Sequence, residues 1–114
     1  MDVVRLPIED VKEIKYMTLE IERHAKETTI KVVGRLDCFT APALGKMIEQ
    51  SARNAPGVIL ELSGLELISD AGIRVLLEAN EKIQPTGSLL LTSVSDNVMN
   101  TLKASGCSDA LTIH

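Results

Sequence analysis

The residues with the clearest chemical potential are Ser69-Asp70-Ala71-Gly72, a polar tetrapeptide between an apolar segment and a predicted helix. The first backbone N–H groups of a helix have no partner within it, and the helix dipole adds positive character there. A helix start of this kind favours an anionic side chain or a phosphate. Asp70 also has a purely structural interpretation, because an aspartate that caps or begins a helix stabilises it by about 1 kcal/mol.

Catalytic chemistry has little support in the sequence. No nucleophile, base and orienting residue occur together, and no Gly-rich loop of the Walker or dinucleotide type is present. An acid–base pair at this site would have to consist of the carboxylates of Asp37 and Asp70. Exposed carboxylates at loop ends are far more often caps and solvated charges, so we predict that the protein is not an enzyme.

The cysteines and histidines indicate no cofactor. Cys38 and Cys107 lack CxxC spacing, and we expect two buried or half-buried free thiols. His24 and His114 have no companion ligands at metal spacing, so we predict no metal site.

Composition narrows the class of partner. The chain has 114 residues, 25% of them charged, with a net charge of −4 and only two aromatic residues, Tyr16 and Phe39. Without a basic cluster or a stacking platform, nucleic-acid binding is not expected. No apolar run approaches membrane-spanning length, so we expect no direct membrane insertion and a cytoplasmic protein.

A strand, a turn and a helix position the tetrapeptide. The apolar run 58–62 is typical of a strand buried on both faces, as in the centre of a parallel sheet. A turn at Ser63-Gly64 and a second apolar segment, 65–68, follow. After the tetrapeptide, apolar residues recur at helical spacing at Ile73, Leu76, Leu77 and Ile83.

Upstream, the pattern predicts a hairpin and a helix. Residues 18–23 and 28–33 alternate, with Leu19, Ile21, Ile30 and Val32 on the buried faces. Thr40 is expected to cap the next helix, with Pro42 in its first turn and Leu44, Met47 and Ile48 as its buried stripe. Phe39, just before the cap, is expected to pack on Leu44 as a hydrophobic staple.

Downstream, residues 88–92 predict another buried strand. Ser95 or Asp96 is expected to cap a last helix that ends at Gly106, and residues 111–113 are expected to form a short final strand.

Residues 1–16 stand apart as an N-terminal extension. They are either an edge strand or a poorly ordered arm, with a short helix through Val11 and Ile14 as another pattern. Strands that alternate with helices predict an α/β domain, with parallel strands joined to an antiparallel hairpin.

Two segments resemble a known family. Gly34-Arg35-Leu36-Asp37 and residues 60–77 are similar to the signatures of STAS domains, the fold of bacterial anti-sigma factor antagonists. The resemblance implies a small mixed β-sheet with helices packed mainly on one face. It covers residues 17–113 and is most specific in these two segments, so it implies a STAS domain over 17–114 that follows the extension 1–16.

The resemblance also implies a site and a partner. In the family, a partner kinase phosphorylates a serine at the position that Asp70 holds here, and the neighbouring Ser69 is the less probable alternative acceptor. The implied partner-binding residues are Asp37, Phe39, Thr40, Ser69, Asp70, Ala71 and Gly72. The implied function is a non-enzymatic protein that docks on a serine-kinase anti-sigma factor and releases a sigma factor, as a monomer or weak dimer.

Two alternatives stay open at this point. The first alternative, within the same fold, is a STAS subunit of a transporter or lipid-transport complex. The second, from a different functional class, is a sensor that binds a nucleotide or another small anion at the helix start.

Overall fold

The computed structural model describes residues 10–114, which form one seven-stranded mixed sheet with three α-helices. The strands are β1 (Asp10–Ile14), β2 (Met17–Arg23), β3 (Glu27–Leu36), β4 (Gly57–Glu61), β5 (Leu65–Ile68), β6 (Ser88–Thr92) and β7 (Thr112–Ile113), and the helices are α1 (Ala41–Asn54), α2 (Asp70–Ile83) and α3 (Asp96–Ala104).

The order of the strands explains the mixed character of the sheet. The strands β1, β2 and β3 form an antiparallel meander, and β4, β6 and β7 extend it in parallel in that order. The predicted α/β class, with an antiparallel hairpin joined to parallel strands, is confirmed. The strand β5 was not predicted, whereas β1 agrees with the edge strand that was one of the alternatives for residues 1–16.

Alternating side chains build the core on one face of the sheet. On β2 and β3, the predicted inward residues Leu19, Ile21, Ile30 and Val32 are fully buried. The helices α1 and α2 pack side by side over this face, with Leu44 and Leu76 among their buried residues. Helix α3 packs beside β5, where the Asn97 side-chain amide donates to the Glu66 carbonyl at 3.3 Å.

The central strand β4 is not buried on both faces, contrary to the prediction. Val58, Leu60 and Leu62 face the core and are buried, whereas Ile59 and Glu61 on the other face are half-buried. Because the helices α1 and α2 cover one side only, the strand alternates instead of being hidden throughout.

The strand β3 changes its parallel partner halfway along. Its first half pairs with β4 and its last three residues pair with β5, with a register shift at Gly34. Gly34 has a φ of +110°, and a Cβ there would collide with the Tyr16 carbonyl oxygen, so the position requires glycine. This arrangement delivers the ends of β3 and β5 together to the start of α2.

The edge strand β1 occupies residues 10–14 of the N-terminal segment 1–16. It pairs antiparallel with β2, so the helical pattern suggested by Val11 and Ile14 is wrong. The part of that segment before residue 10, including Pro7 and the apolar residues around it, lies outside the described residues.

Two helix ends follow the sequence signals closely. The Ser95 hydroxyl caps α3 by accepting from the Val98 N–H at 3.3 Å, and Gly106 takes the left-handed conformation after it, with a φ of +78°. Leu111 is buried just before β7. These predictions are confirmed.

Candidate functional site

The helix α2 begins at the predicted tetrapeptide, and Ser69 is its cap. The Ser69 hydroxyl accepts from the Gly72 N–H at 3.3 Å, and its carbonyl accepts from the Ile73 N–H at 2.9 Å. Asp70 is the first helical residue and its side chain is exposed. Asp70 therefore begins the helix without capping it, and its carboxylate lies at the positive end of the helix dipole.

The start of α2 is fixed to the end of β3. The Ser69 N–H donates to the Leu36 carbonyl at 2.9 Å. A Cβ placed on Gly72 would lie 2.7 Å from the same carbonyl oxygen and 2.9 Å from the Leu36 Cγ. Gly72 thus permits a close backbone approach, and the approaching backbone belongs to the chain itself.

The loop after β3 is closed by its own side chains. The Asp37 Oδ1 accepts from the N–H groups of Phe39 at 3.0 Å and Thr40 at 3.2 Å. The Thr40 hydroxyl accepts from the Asp37 N–H at 2.9 Å and donates to the Arg35 carbonyl at 2.8 Å. This reciprocal pattern is an Asx-type turn that holds the loop in one conformation.

Thr40 stands at the predicted cap position of α1, but its side chain does not cap the helix. The hydroxyl is buried and already committed to Asp37 and Arg35. Pro42, which has no N–H, lies in the first turn as predicted and reduces the number of donors that need a cap.

Phe39 does not form the predicted staple with Leu44. Its side chain is 81% exposed, whereas Leu44 is fully buried. The Phe39 N–H donates to the Asp37 carboxylate, so the backbone of this residue belongs to the turn that precedes the helix. Cys38 is likewise exposed, contrary to the expectation of a buried thiol, while Cys107 is buried.

The turn also determines the pKa of Asp37. Partial desolvation raises this pKa, but hydrogen bonds from Phe39 and Thr40, together with the positive charge of Arg35, lower it by more than desolvation raises it. The net effect holds the Asp37 pKa below its ordinary value, so the carboxylate is ionised at neutral pH.

The two segments of the predicted site therefore come together. Asp37 follows Leu36 and Asp70 follows Ser69, so each carboxylate is one residue beyond the hydrogen bond that joins β3 to α2. Phe39 and Asp70 are exposed, Asp37, Ser69 and Ala71 are half-buried, and Thr40 and Gly72 are buried. The exposed residues are available for contacts, and the two buried residues position them.

The arrangement suits binding. It presents an aromatic side chain and two carboxylates on a braced backbone. Within residues 10–114, no group of three or more His, Cys, Asp or Glu side chains is placed to hold a metal ion. In that same part of the chain, none of the helices has the length and apolar character needed to cross a bilayer.

Sequence reasoning missed a neighbouring surface formed by Tyr16, Arg35 and Leu67. The Arg35 guanidinium carbon lies 4.3 Å from the centroid of the Tyr16 ring, and Leu67 is the register partner of Arg35 on β5. An aromatic residue in the short turn between β1 and β2 was the available signal, but it depended on recognising β1 as a strand.

Comparison with known proteins identifies the family of the chain. The profile of the STAS domain matches residues 16–114, and the chain belongs to this family. A curated relative, the anti-sigma-F factor antagonist RsfB of Mycobacterium tuberculosis, is 29% identical over 68 residues. That match covers 59% of this chain and 56% of RsfB, so it spans little more than half of the relative's length.

Two solved structures share the fold. One is an anti-sigma factor antagonist from Mycobacterium paratuberculosis, with a TM-score of 0.76 and 22% identity over 86% of this chain and 85% of that one. The other is a sulfate transporter family protein from Wolinella succinogenes, with a TM-score of 0.64 and 25% identity over 73% of this chain and 69% of that one. The predicted STAS fold is confirmed.

Proposed function

We propose that this chain is an anti-sigma factor antagonist that docks on an anti-sigma factor of the serine-kinase type and so releases a sigma factor. The observation that carries the proposal is the 81% exposed Phe39 on a loop that the Leu36–Ser69 hydrogen bond ties to the start of α2. Large exposed aromatic side chains on braced loops are common anchors of protein interfaces. Kinship with RsfB supports this class of partner.

The docking surface consists of Asp37, Phe39, Ser69, Asp70 and Ala71, with Thr40 and Gly72 holding these residues in place. None of these residues supplies a nucleophile with its base, and the proposed role is therefore regulatory binding. The proposed location is the cytoplasm. The segment 1–16 is proposed as an extension of the STAS domain at 17–114.

Asp70 gives this docking surface a fixed negative charge. In the family signature, the aligned position is the serine that the partner kinase phosphorylates. A carboxylate has one negative charge and two acceptor oxygens, whereas a phosphoserine has a charge of about −1.5 to −2 and three acceptor oxygens. Asp70 therefore resembles the phosphorylated state in the sign of its charge but not in its magnitude or size.

We further propose that the chain is not phosphorylated at this position. A carboxylate cannot form the stable phosphate ester of a serine. The neighbouring Ser69 is a poor substitute because its hydroxyl is half-buried and accepts from the Gly72 N–H. Neighbouring side chains at a helix start point in different directions, so a kinase active site aligned on residue 70 would not be aligned with the Ser69 hydroxyl.

Affinity capture from extracts of the source organism tests the proposal, with the tagged chain and its Phe39→Ala variant as parallel baits. We expect the chain to retain an ATP-binding anti-sigma factor, and the variant to retain much less. When that partner and ATP are added to the purified chain, its intact mass should not change, and Asp70→Ser should gain one phosphate. Capture of a different protein class, or a phosphate on Ser69, would contradict the proposal.

A second candidate is a STAS subunit of a transporter. The likeness to the sulfate transporter family protein, at 25% identity over 73% of this chain, supports it. The same capture separates the two candidates, because the transporter hypothesis predicts a membrane component in place of an anti-sigma factor.

A further inference from the structure

A second exposed surface lies at the end of β3, on the face of the sheet opposite α1 and α2. Leu36 and Ile68 are register partners and both are buried, so the preceding register pair, Arg35 and Leu67, points to the opposite face. Tyr16, in the turn between β1 and β2, lies beside Arg35. We call the surface formed by Lys15, Tyr16, Arg35 and Leu67 the Tyr16 patch.

The Tyr16 patch exposes much apolar area. Tyr16 is 53% exposed and Leu67 is 45% exposed, and within residues 10–114 only Val11 and Phe39 share this property among large apolar side chains. Three of these four side chains therefore lie on or next to the end of β3 and β5. Clustering of this kind is characteristic of a contact surface, since exposed apolar residues are ordinarily scattered.

The patch is preorganised by contacts within the chain. The Arg35 N–H donates to the Tyr16 carbonyl at 2.8 Å. Above the Tyr16 ring, the Arg35 guanidinium carbon lies at 4.3 Å and the Lys15 ammonium at 5.3 Å from the ring centroid. These cation–π contacts hold both positive groups and the ring together before any partner arrives.

The charge of the patch indicates its occupant. The chain has a net charge of −4, yet Lys15 and Arg35 place two positive charges here. Within residues 10–114 neither forms an ion pair with a carboxylate, and the nearest acidic influence on Arg35 is Asp37, whose pKa it lowers. Tyrosine and arginine are also the residues most enriched among the energetic anchors of interfaces. A carboxylate beside an apolar side chain is the chemistry that this surface complements.

The patch continues the docking surface. The Arg35 carbonyl accepts from the Thr40 hydroxyl at 2.8 Å, and Leu67 is followed by Ile68 and the cap residue Ser69. A standard protein interface covers about 800 Å² on each partner, more than one loop and one helix start supply. The two surfaces together extend around the end of β3.

We propose that the Tyr16 patch is the second half of the docking surface and binds an acidic, partly apolar segment of the same anti-sigma factor. This inference rests on the proposed function. It adds a contact region outside the helix start, with a charge opposite to that of Asp37 and Asp70.

Isothermal titration with the purified anti-sigma factor recovered by capture tests the proposal. The double variant Tyr16→Asn with Leu67→Thr removes both apolar groups. Asparagine tolerates the positive φ of 73° at position 16, and threonine suits a strand. The control is Lys31→Ala, which removes an exposed cation from β3 at a distance from the patch. Thermal unfolding of each variant verifies that the fold is retained.

The double variant should raise the Kd about tenfold or more, and Lys31→Ala should change it less than about twofold. If the double variant binds like the wild type while Phe39→Ala binds weakly, the inference is wrong and the proposed function stands. If the capture recovers no anti-sigma factor, both the proposed function and this inference are wrong. If the double variant changes only the sedimentation of the chain alone, a second copy occupies the patch and the inference is overturned.

Discussion

Replacing Gly72 with alanine places a methyl group where the helix α2 touches the strand β3. The added Cβ would lie 2.7 Å from the Leu36 carbonyl oxygen and 3.1 Å from the Ile68 side chain. This oxygen belongs to the backbone and also accepts from the Ser69 N–H at 2.9 Å. The steric clash can therefore be removed only if the start of α2 moves away from β3.

The expected cost follows from three terms. Overpacking in a core typically costs about 1–3 kcal/mol. Loss of the Ser69–Leu36 hydrogen bond adds about 0.5–1.5 kcal/mol, and the higher helix propensity of alanine offsets at most about 1 kcal/mol. We therefore expect Gly72→Ala to lower the free energy of unfolding by about 0.5–4.5 kcal/mol.

Urea denaturation followed by circular dichroism measures this loss. The matched control is Gly45→Ala in α1, where the added Cβ would meet only the Val75 side chain, at 3.2 Å. This control should change stability by no more than about 1 kcal/mol in either direction. If Gly72→Ala is as stable as the wild type, the contact with Leu36 does not constrain position 72 and our account of the helix start is wrong.

Three further predictions concern the core, the docking loop and acid stability. Leu60→Ala, at a fully buried position of β4, should cost about 2–5 kcal/mol in urea denaturation, and a loss below about 0.5 kcal/mol would contradict its central position. Phe39→Ala should change stability by less than about 0.5 kcal/mol yet raise the Kd for the anti-sigma factor about fivefold or more. An equal loss of affinity in Val11→Ser would mean that the effect is not specific to the loop. Because the Asp37 pKa is lowered in the fold, ionised Asp37 should stabilise the protein above the ordinary aspartate pKa of about 3.9, and this contribution should disappear as the pH falls through the lower folded value. The stability gap between the wild type and Asp37→Asn should narrow on acidification, and a constant gap would contradict this assignment.

Strong periodicity made much of the fold predictable. The hairpin, the bounds of β6 and the Ser95 cap of α3 all depend on local patterns that the tertiary structure preserves. The strand β5 was missed because its four residues are buried only at the two ends, at Leu65 and Ile68, which does not match the alternation of a strand. Its identity depends on the switch of β3 from one parallel partner to another, which no local pattern encodes.

The candidate site was predictable in its helix start but not in its loop. Ser69 and Asp70 follow general rules for helix starts, so the sequence was sufficient to locate them. The backbone of Phe39 lies in a turn closed by the Asp37 carboxylate and its side chain is exposed, whereas the staple pattern assigned this residue to the interior. The Tyr16 patch required knowledge of the register between β3 and β5.

The central claim is that the start of α2 is the docking surface, with Asp70 as its fixed charge. The most direct test is titration of the purified anti-sigma factor with Asp70→Asn at low and high salt. Asp96→Asn is the matched control, because Asp96 begins α3 behind the Ser95 cap as Asp70 begins α2 behind Ser69. We predict that only Asp70→Asn changes the Kd, by an amount that shrinks as salt is raised. Equal Kd values for the wild type and Asp70→Asn at both salt concentrations would contradict the claim.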